Sequence, residues 1–274
     1  MNKQPTMNKH ISLAIVLLAA LALATSCDKM IDKAVWNALD NSSHGYQDSE
    51  KWGKVTVRQL PAHPFSEVKL QGSVRMEYTQ ADTCSIEVYG NEKAIDAYAF
   101  KTDDDELEVE LKENRGRINQ DTPAVTIRIT APYLTEVSGA GASEIVFTND
   151  VEQDKELEVD LRGVGTIAIG AFKAPALELS ISGAGKAILG DVRTTESTDI
   201  EVFGSGNLDG TLTSDKLKLR LTGSAHGELE IHCKRTEATV SGATSFTFKG
   251  ETADFKLSTS GASHVNYDDF KVGK

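Results

Sequence analysis

Apolar and polar residues alternate along most of the chain from residue 53 to residue 270, and glycine corners interrupt the alternation at regular intervals. In the stretch Leu177–Gly190, an alternating run enters Ser-Gly-Ala-Gly and a second short apolar run leaves it. Alternation predicts strands with one buried face, and a repeat near twenty residues predicts a repetitive architecture. The pattern recurs at Gly139, Gly163, Gly183, Gly204, Gly223, Gly242 and Gly261, with spacings of 24, 20, 21, 19, 19 and 19 residues.

Aligning the copies on these glycines produces apolar columns. Two residues before the glycine stand Val137, Leu161, Ile181, Val202, Leu221, Val240 and Thr259. A copy of this length is too short for a strand–helix–strand crossover. In a hairpin the equivalent positions would not stack, whereas in the coils of a β-helix they meet in parallel ladders about 4.8 Å apart. We therefore predict an all-β fold, with a β-helix-like stack of roughly 20-residue coils over residues 133–274.

The preceding residues, 53–132, also alternate with period two, as in Val68–Tyr78 and Leu107–Leu111. Asn91–Phe100 is the one plausible helix in this part of the chain. We expect an N-terminal β region that is packed on the repeats or continuous with them, so that residues 53–274 form one body.

The N-terminus has the pattern of an export signal. Lys3 and Lys9 precede the apolar run Ile11–Ala24, which is too short to span a bilayer comfortably. The run ends in Leu23-Ala-Thr-Ser-Cys27, which resembles the lipobox of bacterial lipoproteins. The resemblance implies acylation of Cys27 and cleavage before it; the alternative is an ordinary signal peptide with a coincidental cysteine.

These observations predict a lipoprotein signal peptide at residues 1–26 and a tether at residues 27–52. The exported protein would be held in a membrane by the lipid on Cys27, and we expect the outer membrane, on its periplasmic or cell-surface side. Whether Met1 or Met7 is the start, and which leaflet holds the anchor, are left open.

Charge and cysteine content exclude some classes. The formal net charge of −12 argues against nucleic acid, because phosphate binding requires a basic surface. Three cysteines are too few for a disulfide scaffold. Cys84 and Cys233 share strand parity with apolar neighbours, and they are predicted to be buried thiols.

One outward face concentrates carboxylates. Two interpretations stay open: the face binds a ligand (calcium, or a glycan that an acid/base pair could cleave), or it is only solvated. Lys218 and Arg220 continue the same columns, which favours solvation. The candidate residues are Glu158, Asp160, Glu178, Asp199 and Glu201.

We find no catalytic motif, and no cofactor is expected. His226 and His264 fall in one column but two copies apart, which is too far to share a metal ion.

Several segments resemble a known family. Phe65–Val74, Leu107–Leu111, Ala131–Gly141 and the repeated Ser-Gly corners look like the head GIN domain of putative auto-transporter adhesins. The likeness covers about residues 53–270. It implies a right-handed β-helix-like all-β body, common on Bacteroidetes lipoproteins, and it implies no catalytic residues.

Taken together, we expect a lipid-anchored cell-envelope protein that is not an enzyme. Its role would be an adhesin-like binding module or a surface-structural one, with a glycan or a surface protein as partner. The alternative is a β-helix polysaccharide-active enzyme that uses the outward carboxylates. Ligand identity and oligomeric state stay open.

Overall fold

The computed structural model describes residues 48–112 and 123–273. They form an all-β body in which one mixed sheet of thirteen strands is accompanied by a single short helix, α1 (Glu92–Asp96). The proposed signal peptide and Cys27 lie outside the described residues. The strands are β1 Val55–Leu60, β2 Glu67–Gln80, β3 Ser85–Asn91, β4 Tyr98–Asp103, β5 Glu106–Leu111, β6 Ala124–Ala131, β7 Glu136–Phe147, β8 Val151–Glu152, β9 Leu157–Gly223, β10 His226–Gly242, β11 Ser245–Gly261, β12 His264–Asn266 and β13 Phe270–Val272.

The repeats pair in parallel and in register. β10 lies between β9 and β11, and each of its paired residues stands opposite the residues nineteen positions earlier and later in the chain. Gly242, for example, pairs with Gly223 on one side and with Gly261 on the other. Equivalent residues of successive copies therefore meet, as the apolar columns predict.

The apolar columns form the core. Leu161, Ile181, Leu221 and Val240 are all fully buried, because each is covered by equivalent residues in the neighbouring strands. The last member of that column, Thr259, is exposed. It lies in the part of β11 from Asp254 to Gly261, which pairs only with β10 among the described residues.

The corner glycines stack directly on one another. Gly163, Gly183, Gly204 and Gly223 have φ angles of +120°, +130°, +122° and +121°, which side chains rarely tolerate. A Cβ atom on Gly204 would lie 2.2 Å from the carbonyl oxygen of Gly183. The corner therefore requires glycine for its backbone angle and also for the close approach of the next strand.

The alignment of the first copy on Gly139 is wrong. Gly163 pairs with Gly141, whereas Gly139 stands opposite Leu161 at a buried position. Two glycines in Ser138–Gly141 offer alternative registers to a sequence alignment. Only Gly141, with φ +109°, has the left-handed backbone of the corner.

The N-terminal strands continue the same sheet. β2 pairs in parallel with β7, so that Val68 faces Val137 and Gly72 faces Gly141. On its other side β2 pairs in parallel with β5 and β6, and beyond them the pairing becomes antiparallel, through β3, β1 and β4. The predicted helix is real only from Glu92 to Asp96, since Tyr98 begins β4.

Candidate ligand face and a polar cavity

The structure extends the predicted carboxylate face toward the N-terminus. Glu158 stands opposite Glu136, which in turn stands opposite Glu67. Glu178 is the next acidic group in this row, and its charge acts on Glu158. We call Glu67, Glu136, Glu158 and Glu178 the acidic ladder. Sequence analysis did not identify two of its four members, Glu67 and Glu136, because it could not establish the register of their strands.

Partial burial and the charges of neighbouring carboxylates raise the pKa of Glu158 above its usual value. Partial burial is the largest cause, and the charges of Glu178, Glu136 and Asp160 add to it. Like charges on adjacent strands repel one another, and a carboxyl group surrounded by carboxylates keeps its proton to higher pH. Within the described residues no ion pair involves a member of the acidic ladder.

The other three predicted face residues are neutralised by basic neighbours. Asp160 pairs with Arg162 at 2.5 Å, and Lys218 binds Asp199 at 2.8 Å. Glu201 pairs with Arg220. In the last two pairs the basic residue occupies the same column one copy later, so the sequence could have indicated them. The five predicted carboxylates therefore divide into three that form ion pairs, Asp160, Asp199 and Glu201, and two that form none among the described residues, Glu158 and Glu178.

The later copies have short corners. The corners between β9, β10 and β11 contain only two residues each, such as Ser224 and Ala225, so they build no wall beside those strands. No group of three or more histidine, cysteine or acidic side chains in the described part of the chain is arranged to hold a metal ion. His226 and His264 lie two strands apart, each opposite Ser245.

A separate cavity of about 170 Å³ lies just after the glycine corner, where β6, β2, β7 and β9 meet. Arg75 lines it, with a side chain only 3% exposed. Its Nε donates to Glu77 at 2.9 Å and its Nη1 to Glu144 at 2.6 Å. Arg75 Nη2 is buried without a hydrogen-bond partner, and so is Ser143 Oγ, which lies on the core side of the sheet near Gly139.

Arg75 belongs to a chain of charges. Glu77 also binds Arg128 at 2.9 Å, and Arg128 reaches Glu87 at 3.1 Å. Burial would raise the pKa of Glu77, but the hydrogen bonds from the two arginines outweigh it and hold the pKa below its usual value. The network fixes Arg75 firmly. Sequence reasoning missed it, because a charged residue in an alternating strand is predicted to be solvated.

Comparison with known protein families shows which family this chain belongs to. Residues 64–211 and 189–274 match the family described as "Putative auto-transporter adhesin, head GIN domain". The chain belongs to this family. A comparison with curated proteins finds no match.

Solved structures share the fold of this GIN-domain protein. It is similar to a putative adhesin from Bacteroides fragilis, with a TM-score of 0.56 and 18% identity over 80% of this chain and 97% of that one. It is also similar to a putative lipid binding protein from Parabacteroides distasonis, with a TM-score of 0.55 and 17% identity over 81% and 98%. None of the helices in the described residues is long and apolar enough to cross a membrane.

Proposed function

We propose that this GIN-domain protein is a lipid-anchored, non-catalytic module of the cell envelope that acts as an adhesin-like binding surface. In this proposal the repeats wind as a right-handed parallel β-helix, and Cys27 carries the anchor. The observation that carries the binding role is the acidic ladder, whose members lie on neighbouring parallel strands and form no ion pair among the described residues. Membership of an adhesin-like family supports it.

The unpaired ladder supports binding on energetic grounds. Stacked like charges destabilise the fold, whereas the compensating pairs seen at Asp199 and Glu201 would have relieved the repulsion. A partner that presents positive charge or polar hydroxyl groups would relieve it instead. Because the ladder residues stand on neighbouring strands, such a partner would lie across the strands and contact several of them.

The anchor is tested by fractionating cells that express the full chain or its Cys27→Ser variant. We expect the wild-type chain in the membrane fraction and the variant released from it, since several acyl chains give a stable anchor and none remains. An unchanged membrane fraction for the variant would refute lipidation at Cys27.

The binding role is tested with the detergent-solubilised full chain on an array of glycans and matrix proteins. The double variant Glu158→Gln, Glu178→Gln should lose the signal, while Glu228→Gln is the matched control because Glu228 is ion-paired to Lys249 elsewhere on the sheet. A broad array on which the wild-type protein binds nothing would refute the adhesin-like role and favour a structural one.

A polysaccharide-active enzyme is the second candidate, and one observation favours it. The raised pKa of Glu158 is the property that a general acid needs for glycoside cleavage. In that case the protein would release reducing sugar from a polysaccharide, and Glu158→Gln would abolish the release. Binding without any release of sugar would exclude this candidate for the polysaccharides tested.

A further inference from the structure

The last eight residues of β11 form an open edge of the sheet. β11 pairs with β10 along nearly its whole length, but on its other side only two short segments are covered. Ser245–Thr247 pairs with β12, and Gly250–Thr252 pairs with β13. Among the described residues no strand covers Asp254–Gly261 on that side. Alternate residues of a parallel strand turn their N–H and C=O groups to the same side, so this edge offers a row of unpaired main-chain groups.

The open edge also exposes side chains of the core columns. Phe255 and Leu257 stand opposite Thr236 and Ala238 of β10, which are fully buried, yet both are only partly buried themselves. The difference arises because β10 lies between two strands, whereas this part of β11 has a strand on one side only. Covering the rest of these two side chains would be favourable, since it removes apolar surface from water.

Strands β12 and β13 turn this edge into a gap. Both lie one position beyond β11, and they flank the open segment with aromatic side chains. The ring of Phe255 packs against Phe270 of β13, with centroids 5.0 Å apart, and against Tyr267, with centroids 6.1 Å apart. The end of a second copy would meet β12 and β13 before it reached the open segment, whereas one extended segment can lie beside them. We call the position beside Asp254–Gly261 the strand gap.

Charge indicates which residue an added strand presents in the strand gap. Lys256 stands opposite Glu237, which stands opposite Lys218, so the sign of the charge alternates from strand to strand. Lys256 is exposed and forms no ion pair with any residue that the structure describes. An acidic residue on the added strand would continue the alternation, because opposite charges that face each other on neighbouring strands attract.

We propose that the strand gap binds an extended segment of a partner protein, which adds a parallel strand to the sheet. Main-chain hydrogen bonds supply affinity in this kind of recognition, and alternate side chains supply specificity. The register of β11 with its neighbours places apolar residues of the partner beside Phe255 and Leu257, an acidic residue beside Lys256, and glycine beside Gly261. The inference goes beyond the proposed function, because it does not involve the acidic ladder.

The probe is a fluorescent peptide with the sequence Pro175–Ala184, mixed with the detergent-solubilised full chain. It contains Leu-Glu-Leu-Ser-Ile-Ser-Gly, which has the required pattern. In the folded protein this segment lies within β9 with its apolar side chains buried, so an intact second copy cannot supply it. Binding should raise the fluorescence anisotropy of the peptide and slow hydrogen exchange in Asp254–Gly261. A scrambled peptide of the same composition should bind at least about tenfold more weakly.

Charge reversal locates the peptide beside Lys256. Lys256→Glu should weaken binding by several-fold to about tenfold, because an attraction to the glutamate of the peptide becomes a repulsion. A peptide with lysine in place of that glutamate should show the opposite preference and bind Lys256→Glu better than the wild-type protein. Lys216→Glu is the matched control, since Lys216 is another exposed lysine and lies in β9, two strands from the gap. Leu257→Ser should also weaken binding, and it tests the apolar contact without a change of charge.

Three results would overturn the inference: no binding of the peptide, equal binding of its scrambled form, or binding that leaves hydrogen exchange in Asp254–Gly261 unchanged. Equal affinity of Lys256→Glu and the wild-type protein for the peptide would refute the proposed register. Protection of the same segment without peptide, together with a dimer in sedimentation, would assign the strand gap to a second copy and refute a partner segment. The double variant Glu158→Gln, Glu178→Gln should bind the peptide as the wild-type protein does, so failure of the ladder and failure of the strand gap are distinguishable.

Discussion

The stacked corner glycines should be the positions where the smallest substitution has the largest effect. In Gly204→Ala the new Cβ would lie 2.2 Å from the carbonyl oxygen of Gly183, a backbone atom that cannot move without shifting the neighbouring strand. The φ angle of +122° at this position is also outside the range that alanine adopts readily. The two penalties arise from different causes, so we expect them to add.

The magnitude follows from these two penalties. A non-glycine residue held in a sparsely populated backbone region costs about 1–3 kcal/mol. Forcing an extra methyl group into a packed position costs about another 1–3 kcal/mol. We therefore expect Gly204→Ala to lower the free energy of unfolding by about 2–6 kcal/mol, a large share of the ~5–15 kcal/mol that holds a typical domain together.

Two further glycines make the prediction a graded series. In Gly261→Ala the contact is longer, 2.8 Å to the Gly242 oxygen, and φ is +77° in an exposed part of β11, so the loss should be about 1–2 kcal/mol. A Cβ on Gly170 would meet no atom within 4 Å, and its φ is not left-handed. Gly170→Ala should therefore be neutral or slightly stabilising, by less than about 1 kcal/mol.

The assay is urea unfolding of the three variants and the wild-type protein, followed by far-UV circular dichroism. The midpoints should fall in the order Gly170→Ala, Gly261→Ala, Gly204→Ala, with little change in slope. If Gly204→Ala lowered the free energy of unfolding no more than Gly170→Ala, the corner would tolerate a side chain. The stacking of glycine on glycine would then not explain why the repeat requires this residue.

Three further predictions concern charge and thiol chemistry. Because the pKa of Glu158 is raised in the folded protein, the folded state binds this proton more tightly than the unfolded chain, and stability is lost as pH rises through the raised pKa. Glu158→Gln should therefore unfold at a higher urea concentration than the wild-type protein at neutral pH. The difference should vanish below about pH 4. Lys218→Ala should lower the free energy of unfolding by at most about 1 kcal/mol, and by less at high salt, because the ion pair between Lys218 and Asp199 is half-exposed. A larger loss of stability that does not depend on salt would contradict this. Burial raises the pKa of the Cys233 thiol to about 11, so alkylation at about pH 8 followed by mass spectrometry should label the half-buried Cys84 and leave Cys233 unlabelled until the protein unfolds.

The all-β fold could be predicted because its causes are local and repeated. Each copy carries its own alternating run and its own corner glycine, so a residue such as Leu179 is identified as buried without knowledge of its partners. The register of the first copy could not be settled in this way. Gly139 and Gly141 are equally good glycines in sequence, and only the pairing with Gly163 distinguishes them.

The same limit explains the missed N-terminal members of the sheet. Gly72 stacks on Gly141 with φ +130°, as an eighth corner glycine, but 69 positions separate the two because β3 to β6 intervene. No fixed period connects them. Glu67 and Glu136 consequently escaped the predicted carboxylate face, although each is acidic at the position that Glu158 occupies in its own copy.

The cavity depends on contacts that no periodic pattern encodes. Arg75 can be buried because two carboxylates pair with it, Glu77 from its own strand β2 and Glu144 from β7. Ser143 becomes recognisable only when the first copy is aligned on Gly141, which places it in the column of Gly165. An alignment built on Gly139 therefore could not identify Ser143, and Arg75 lies on β2, outside the seven aligned copies.

The distribution of charge divides the sheet into two parts. In the acidic-ladder column, Lys218, Glu237 and Lys256 alternate in sign on β9, β10 and β11, so those strands compensate one another. From Glu67 to Glu178 the same column carries only carboxylates. The cavity lies in the same strands, β2, β7 and the start of β9, across the glycine corner from the ladder. The run of like charges thus falls in the N-terminal half of the sheet, where we expect ligand contacts, while in the later copies opposite charges alternate.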